Sequence, residues 1–130
     1  MPLLLPVPLV ARLWQHVRSS LPRECVGLLA GEGDRARALY PLSNVAGQPE
    51  RAYQAGAGEL LRAFKAMDRE GLTLLGIYHS HPSGPARPSH SDRTLAAYQV
   101  PYLIADPVRG ELRAYLLPEG REVAVEVTPS

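Results

Sequence analysis

The sequence has 130 residues, of which 45% are hydrophobic and 21% charged, which is close to the composition of an ordinary soluble globular protein. Its 14 basic and 13 acidic residues give a net charge of +1, and neither sign forms a block, so nothing indicates a nucleic-acid or membrane-surface partner. A single cysteine, Cys25, excludes an internal disulfide framework and fits a reducing compartment.

The first ten residues are apolar, but they lack the features of a signal peptide. They contain no basic residue, three prolines interrupt them, and no small-residue cleavage site precedes Arg12. No apolar stretch of the sequence approaches the ~20 residues of a membrane-spanning helix. We therefore expect a soluble, cytoplasmic chain that forms one domain over residues 1–130.

The first half of the chain predicts a helix, a hairpin and a second helix. Pro8 suits the start of a helix, which Pro22 ends. Residues 25–30 are an apolar run before a Gly-rich turn and predict a strand, with residues 36–42 as its hairpin partner. Residues 43–54 predict a loop with a short strand around Tyr53. The last elements of this half are a helix over residues 59–70 and its Gly71 C-cap.

The second half begins with residues 72–78, which are nearly all apolar and predict a central strand covered on both faces. A Pro- and Gly-rich loop then leads to a third helix over residues 89–99. Three more strands follow, over residues 102–105, over residues 112–117 and around residues 123–127. The order α-β-β-α-β-α-β-β-β predicts an α/β fold with a mixed β-sheet sandwiched by helices.

Two histidines stand at the end of the predicted central strand. His79 and His81 are two residues apart, so both side chains point to the same face of a strand. Asp92 lies at the start of the third helix, and a rigid loop would bring its carboxylate to the same point. Two imidazoles and one carboxylate are a ligand set typical of catalytic zinc, which leaves a fourth position for water.

Each of these residues has a simpler explanation when it is taken alone. A single histidine in a strand is more often a surface or core residue than a ligand, and Ser89 with Asp92 also forms a capping box that starts a helix. The capping box and the metal site are compatible, because the cap would fix the helix whose first turn carries Asp92. Chance coincidence of His79, His81, Pro82, Ser89 and Asp92 is remote on the frequencies of these residue types.

This segment resembles the motif of the JAMM (MPN+) metalloproteases, which reads His-x-His-Pro, six residues, Ser, two residues, Asp. The family also has a glutamate before an early apolar strand, and Glu24-Cys25-Val26-Gly27-Leu28-Leu29 is similar to that segment. Further similarity includes Pro41-Leu42-Ser43-Asn44 and covers about residues 8–117. A departure is Gln54-Ala55-Gly56-Ala57-Gly58, where relatives often have Asp-Pro.

The resemblance implies a role for each of these residues. His79, His81 and Asp92 would bind one Zn²⁺ per chain, with water in the fourth position. Glu24 would be the general base that takes the proton of that water and returns it to the leaving amine. Ser89 would donate a hydrogen bond to the developing oxyanion, a duty that competes with helix capping. Spacing alone favours a solvated carboxylate after a helix as the interpretation of Glu24, and the Gly-Leu-Leu run that follows reverses this in favour of the general base.

The resemblance also implies a substrate class. Members of the family cleave bonds that follow the C-terminal Gly-Gly of ubiquitin-like proteins, and compact prokaryotic members are associated with ubiquitin-fold sulfur-carrier proteins. The prediction is therefore a zinc metallopeptidase or isopeptidase for such a partner, whose extended tail binds beside a sheet edge. Whether the chain forms a homodimer is left open. The alternative is a non-catalytic MPN scaffold; a zinc deaminase is set aside because its Pro-Cys-x-x-Cys motif is absent.

Three other polar residues are interpreted without a ligand role. His90 lies at the start of the third helix and should be exposed, and His16 lies on the first helix with no evident partner. Cys25 adjoins Glu24 and is interpreted as a small buried hydrophobic residue in a strand, with a thiol nucleophile as the other reading.

Overall fold

The computed structural model describes residues 2–130, which form eight strands and three helices. In chain order they are β1 (Leu3–Pro6), α1 (Val7–Ser20), β2 (Val26–Glu32), β3 (Arg35–Leu42), α2 (Ala57–Arg69), β4 (Thr73–Ser80), α3 (His90–Leu95), β5 (Tyr102–Asp106), β6 (Glu111–Leu116), β7 (Arg121–Val123) and β8 (Val125–Thr128). Every helix among these residues is too short or too polar to span a membrane.

All eight strands belong to one mixed sheet with the order β7-β6-β5-β4-β2-β3-β1-β8. The central pairs β2–β3 and β2–β4 are antiparallel, whereas β4–β5, β1–β3 and β1–β8 are parallel. The parallel step from β4 to β5 requires a crossover connection, and that connection contains α3. Strand β4 therefore lies at the middle of the sheet, and the loop that leaves its C-terminal end carries the motif identified in the sequence.

The two edge strands of the sheet, β7 and β8, belong to one continuous segment of the chain. Strands β7 and β8 are separated by Ala124 alone; β7 pairs with β6 at one edge and β8 pairs with β1 at the other. The backbone N–H of Leu3 donates to the carbonyl oxygen of Ala124 at 2.8 Å, which ties β1 to the bend. The sheet therefore curls around α1 until its two edges meet through this segment.

The helices pack on opposite faces of the sheet. Helix α1 buries Leu9, Leu13 and Val17, which are four residues apart and form one stripe, in a core shared with one face of the strands. Helix α2 buries Ala63 and Met67 by the same spacing in a second core on the other face. The predicted fold class, a mixed sheet sandwiched by helices, is confirmed.

Four details of the predicted order were wrong. The strand β1 was not expected, and the single last strand predicted around residues 123–127 is two strands, β7 and β8, at opposite edges of the sheet. The short strand around Tyr53 is only a single bridge between Asn44 and Ala55, and α3 ends at Leu95, well before residue 99. Helix α3 stops early because the hydroxyl of Tyr102 accepts hydrogen bonds from two backbone N–H groups just beyond the helix, those of Ala97 and Tyr98, each at 3.1 Å. A tertiary contact thus replaces the helical hydrogen bonds that would have continued α3.

Candidate metal centre

The end of β4 brings two imidazoles together on the face of the sheet that α2 covers. Ile77 and His79 alternate with Tyr78, which points to the α1 side and packs in the opposite core. His79 is completely buried, and His81 follows just after the strand ends on the same side. The Nε2 atoms of His79 and His81 lie 3.2 Å apart, so both rings present a nitrogen to one point.

Asp92 reaches the same point from the first turn of α3. A capping box fixes that turn: Asp92 N donates to Ser89 Oγ at 3.1 Å, and Ser89 N donates to Asp92 Oδ2 at 2.8 Å. The carboxylate then places Oδ1 3.2 Å from His79 Nε2 and Oδ2 3.1 Å from His81 Nε2. The predicted capping box and the predicted convergence of Asp92 with the two histidines are therefore both present in the structure.

The spacing of these donor atoms fits a zinc ion. Zinc bonds of about 2.0–2.1 Å in a tetrahedral arrangement put neighbouring ligand atoms roughly 3.3 Å apart. The Nε2 atoms of His79 and His81 are 3.2 Å apart, and the Asp92 carboxylate contacts the first through Oδ1 at 3.2 Å and the second through Oδ2 at 3.1 Å. Two imidazole nitrogens and a carboxylate at these separations fit a zinc ion.

Glu24 lies opposite His81 because of the register between β2 and β4. Val26 pairs with His79 and Gly27 with Tyr78, so the same register continued by two residues places Glu24 beside His81 on one face of the sheet. A carboxylate oxygen of Glu24 and one nitrogen from each histidine all lie within 4.8 Å of one another. Two carboxylates therefore lie beside the two histidines: Asp92 contacts both rings directly, and Glu24 lies within 4.8 Å of a nitrogen of each.

Protonation states in this cluster follow from burial and contact. Burial lowers the pKa of His79, although the hydrogen bond with Asp92 acts to raise it. For His81 burial acts in the same direction, but contacts with Asp92 and with the carbonyl of Pro85 outweigh it and raise the pKa. Burial would raise the pKa of Asp92, yet hydrogen bonds from the two histidines hold it well below its usual range. Since zinc binds neutral imidazoles and ionised carboxylates, metal binding would compete with protonation of His81.

The Glu24 carboxyl group is buried and its backbone is held on both sides. Its N–H donates to the carbonyl oxygen of Pro49 at 2.8 Å, and its own carbonyl oxygen accepts from Asn44 Nδ2 at 2.9 Å. Burial raises the pKa of Glu24 to about 7, with His81 opposing that rise and Asp92 adding to it. Such a pKa is in the range that suits a group exchanging protons near neutral pH.

A groove of about 400 Å³ opens onto this cluster. One wall is formed by residues 50–53 of the loop between β3 and α2, and the other by residues 82–85 and 87–89 of the loop between β4 and α3. Glu24, His81 and Asp92 line its floor, and Leu95 of α3 borders it. The groove leads from solvent to the metal-binding side of the cluster, as a substrate path must.

His90 and Cys25 have the environments expected from the sequence, whereas His16 has a partner that was not expected. His90 is exposed on α3, and Cys25 is a buried residue next to β2, where burial raises its thiol pKa to about 11. A thiol in that state is a poor nucleophile, so the structure favours the packing interpretation. His16 does have a partner, because its Nδ1 lies 2.7 Å from the hydroxyl of Tyr78 across the α1 interface.

Sequence reasoning missed two residues of the loop between β3 and α2. Tyr53 stacks on the ring of His79, with ring centroids 4.3 Å apart and an angle of 25° between the planes. Asn44 makes hydrogen bonds that shape the loop and reach the backbone of Glu24. The run Pro41-Leu42-Ser43-Asn44 was noted only as part of a resemblance; its asparagine, a residue well suited to turns, was the available signal.

The comparisons with known proteins agree with this geometry. The domain family described as prokaryotic homologues of the JAB domain matches residues 6–118. The chain belongs to this family. A probable TtuB-protein conjugate cleaving protease of Thermus thermophilus is 50% identical over 112 residues, which are 86% of this chain and 74% of the relative. The CysO-cysteine peptidase of Mycobacterium tuberculosis is 37% identical over 118 residues, covering 86% of this chain and 80% of that protein.

A solved structure with the same fold is that of protein DSY2949 from Desulfitobacterium hafniense, which has a TM-score of 0.87 and 32% identity. The alignment covers 98% of this chain and 93% of that one. The two curated relatives named above are a protease and a peptidase, and this JAB-family chain is an enzyme of the same class. The family resemblance inferred from residues 79–92 and from Glu24 is thereby confirmed, and the non-catalytic scaffold is the weaker reading.

Proposed function

We propose that the chain is a zinc-dependent peptidase or isopeptidase that cleaves the bond after the C-terminal Gly-Gly of a ubiquitin-fold or sulfur-carrier protein. The observation that carries the proposal is the cluster of His79, His81 and Asp92 beside the buried Glu24, of which His81, Asp92 and Glu24 line a solvent-open groove. The names of the relatives, a TtuB-conjugate cleaving protease and a CysO-cysteine peptidase, support the substrate class.

His79, His81 and Asp92 would hold the metal, and Glu24 would remain outside its coordination sphere. Contacts of 3.1–3.2 Å join His79, His81 and Asp92, and a carboxylate oxygen of Glu24 lies within 4.8 Å of one nitrogen of each histidine. A zinc ion in this position would polarise the scissile carbonyl group and lower the pKa of water towards ~7. In this arrangement Glu24 would hold the attacking water through its carboxylate and would not bind the metal itself.

Glu24 would act as the general base and then as the general acid. Its carboxylate accepts a proton from the attacking water and afterwards gives it to the leaving amine. Its pKa of about 7 reflects burial, and a cation close by would lower that pKa and keep the group ionised before the attack. The two hydrogen bonds on its backbone, from Asn44 and to Pro49, hold it at this place.

Ser89 would stabilise the oxyanion and cap α3 at the same time. A hydroxyl has two acceptor lone pairs and one donor hydrogen. The cap uses one acceptor position, because Ser89 Oγ accepts from the N–H of Asp92 at 3.1 Å. The O–H hydrogen stays available to a developing negative charge, so the two duties expected from the sequence do not compete.

The size of the groove suits an extended C-terminal peptide segment as the substrate. Its volume of about 400 Å³ is at the lower end of the range for ligand sites, too small for a folded domain but sufficient for a few extended residues. A Gly-Gly segment adds no side-chain volume and can approach the floor closely. The folded body of the carrier protein would then stay outside, against the rim of the groove.

The experiment that tests these assignments compares two carboxylate variants with a matched control. Glu24→Gln should retain about one zinc per chain and lose hydrolysis by roughly 10²–10⁴-fold, since only proton transfer is removed. Asp92→Asn should lose zinc and activity together. Glu126→Gln, on the exposed strand β8, should change neither.

Metal content is measured by elemental analysis, and hydrolysis by mass spectrometry of a ubiquitin-like protein extended past Gly-Gly. Zinc that is lost from Glu24→Gln but kept by Asp92→Asn would make Glu24 the ligand instead. Full activity of Glu24→Gln would remove it as the base, and a wild-type protein that stays metal-free with zinc supplied would end the proposal.

A further inference from the structure

The two histidines of the cluster are oriented by different means. His81 follows the usual pattern of a metal ligand, in which the second ring nitrogen donates to a backbone carbonyl group: its Nδ1 lies 2.8 Å from the oxygen of Pro85. His79 does not follow it. Its Nδ1 is buried and has no hydrogen-bond partner among residues 2–130. Its ring orientation therefore needs another cause.

The flat face of Tyr53 meets the ring of His79. The centroids lie 4.3 Å apart and the planes are within 25° of parallel, a stacked contact. The ring of His81 meets the ring of His79 edge-on at 5.0 Å, on the side where the Nε2 atoms converge. Rotation of the His79 imidazole about its Cβ–Cγ bond would drive a ring edge into Tyr53, so the stack restricts the direction in which Nε2 points.

Tyr53 itself is held by a loop that is fixed on both sides of it. Asn44 is the anchor of this loop: its side-chain oxygen accepts from the N–H groups of Ala46 and Gln54. Its two N–H hydrogens donate to the carbonyl oxygens of Glu24 and Ala52, each at 2.9 Å, and one of them is shared with the carbonyl oxygen of Pro49 at 3.3 Å. The N–H of Val45 also donates to the carbonyl oxygen of Gln54 at 2.9 Å. The residues immediately before and after Tyr53 are thus both tied to Asn44, which also reaches the backbone of Glu24.

We propose that Tyr53 is a positioning residue, which sets the orientation of His79 for metal binding by stacking where a hydrogen bond to Nδ1 would ordinarily do so. The inference rests on the metal site of the proposed function. The aromatic ring carries this role, and the hydroxyl group does not. Tyr53 also lines the groove, so the residue that orients a ligand forms part of the surface along which a substrate tail would lie.

The test is the zinc affinity of the metal-free protein, measured by competition with a chelator of known affinity. Tyr53→Leu removes the flat ring and should weaken zinc binding by roughly 10–100-fold, the usual effect of losing a residue that orients a ligand. Tyr53→Phe keeps the ring and should bind zinc as the wild type does. The matched control is Tyr40→Leu, because Tyr40 packs against the same core as Tyr53 but lies on β3, outside the groove lining.

A second readout does not depend on catalysis. Cobalt bound in place of zinc gives visible absorption bands that report ligand geometry, and Tyr53→Leu should change their position or intensity while Tyr53→Phe and Tyr40→Leu do not. If Tyr53→Leu does not fold, Tyr53→Met replaces it, since a flexible thioether chain fills the space without a flat face. The thermal unfolding midpoint of each metal-free variant shows which ones are folded.

Each outcome separates this inference from the proposed function. A wild-type protein that binds no zinc contradicts the proposed function itself. Wild-type zinc binding with unchanged affinity and spectrum in folded Tyr53→Leu or Tyr53→Met overturns the positioning role alone. An equal loss in Tyr53→Phe and Tyr53→Leu would assign the effect to the hydroxyl group and also overturn it, and an equal loss in Tyr40→Leu would show that general packing accounts for it.

Discussion

Substituting Gly84 by alanine should destabilise the protein far more than the same change at Gly33, although both residues have the left-handed backbone that favours glycine. Their φ angles are +68° and +60°. An alanine Cβ at Gly33 would meet nothing within 4 Å, whereas at Gly84 it would lie 2.5 Å from Nη1 of Arg109 and 2.6 Å from Oδ2 of Asp106. The pair therefore separates backbone strain from crowding.

The magnitude follows from these contacts. Left-handed backbone costs a residue with a Cβ about 1–2 kcal/mol, and the stiffer unfolded chain offsets about 0.4–1 kcal/mol of that, so Gly33→Ala should cost about 1 kcal/mol. At Gly84 the Cβ also displaces Arg109 from a 2.9 Å contact with Asp106, a fully buried carboxylate that cannot move aside. Crowding of this kind adds about 1–3 kcal/mol, for a total of about 2–4 kcal/mol.

The assay is thermal unfolding of the two metal-free variants at neutral pH. At about 4 °C per kcal/mol for a chain of this size, the midpoint should fall by roughly 4 °C in Gly33→Ala and by roughly 8–16 °C in Gly84→Ala. Gly84→Ala should also weaken zinc binding, because its N–H donates to the carbonyl of His81 and the next residue accepts from the His81 ring. Equal midpoints in the two variants would refute the reasoning.

Two further predictions concern Ser89 and Asp106. Ser89→Ala should lose about 1 kcal/mol of stability, the cost of the cap, and most of its hydrolytic activity, whereas Ser89→Thr should keep both stability and activity. Full activity of Ser89→Ala, measured by peptide hydrolysis, would contradict the oxyanion role. Burial would raise the pKa of Asp106, but its bonds from Arg109 and the amide of Val108 lower it, so ionised Asp106 stabilises the fold above about pH 4. The difference in unfolding free energy between wild type and Asp106→Asn, measured with urea, should be largest near neutral pH and shrink below about pH 4; a constant difference would contradict this.

The parts of the fold that could be predicted are those in which local pattern and tertiary environment agree. The apolar run before His79 indicated a strand covered on both faces, and β4 lies at the middle of the sheet between two cores. The capping signal at Ser89 indicated where α3 begins, and this fixed Asp92 correctly. The convergence of the cluster therefore followed from strand periodicity and one helix cap.

The parts that could not be predicted depend on contacts between different elements of the fold. Strand β1 forms because β3 and β8 flank it, although the proline at its end, Pro6, disfavours a strand. The end of α3 is set by Tyr102, and the stack of Tyr53 on His79 is set by a loop folded around Asn44. The spacing of residues in the sequence does not predict these contacts. The roles of the residues in binding and hydrolysis stay predictions.

The central claim is metal-dependent cleavage after Gly-Gly, and one measurement tests it most directly. The purified protein is incubated with a ubiquitin-like protein extended past its Gly-Gly by a short peptide, with and without a chelator, and the products are weighed by mass spectrometry. The account predicts a product that ends at Gly-Gly. This product should not form in the presence of the chelator, and it should form again when zinc is restored. Cleavage at another bond, or cleavage that persists in the chelator, would contradict it.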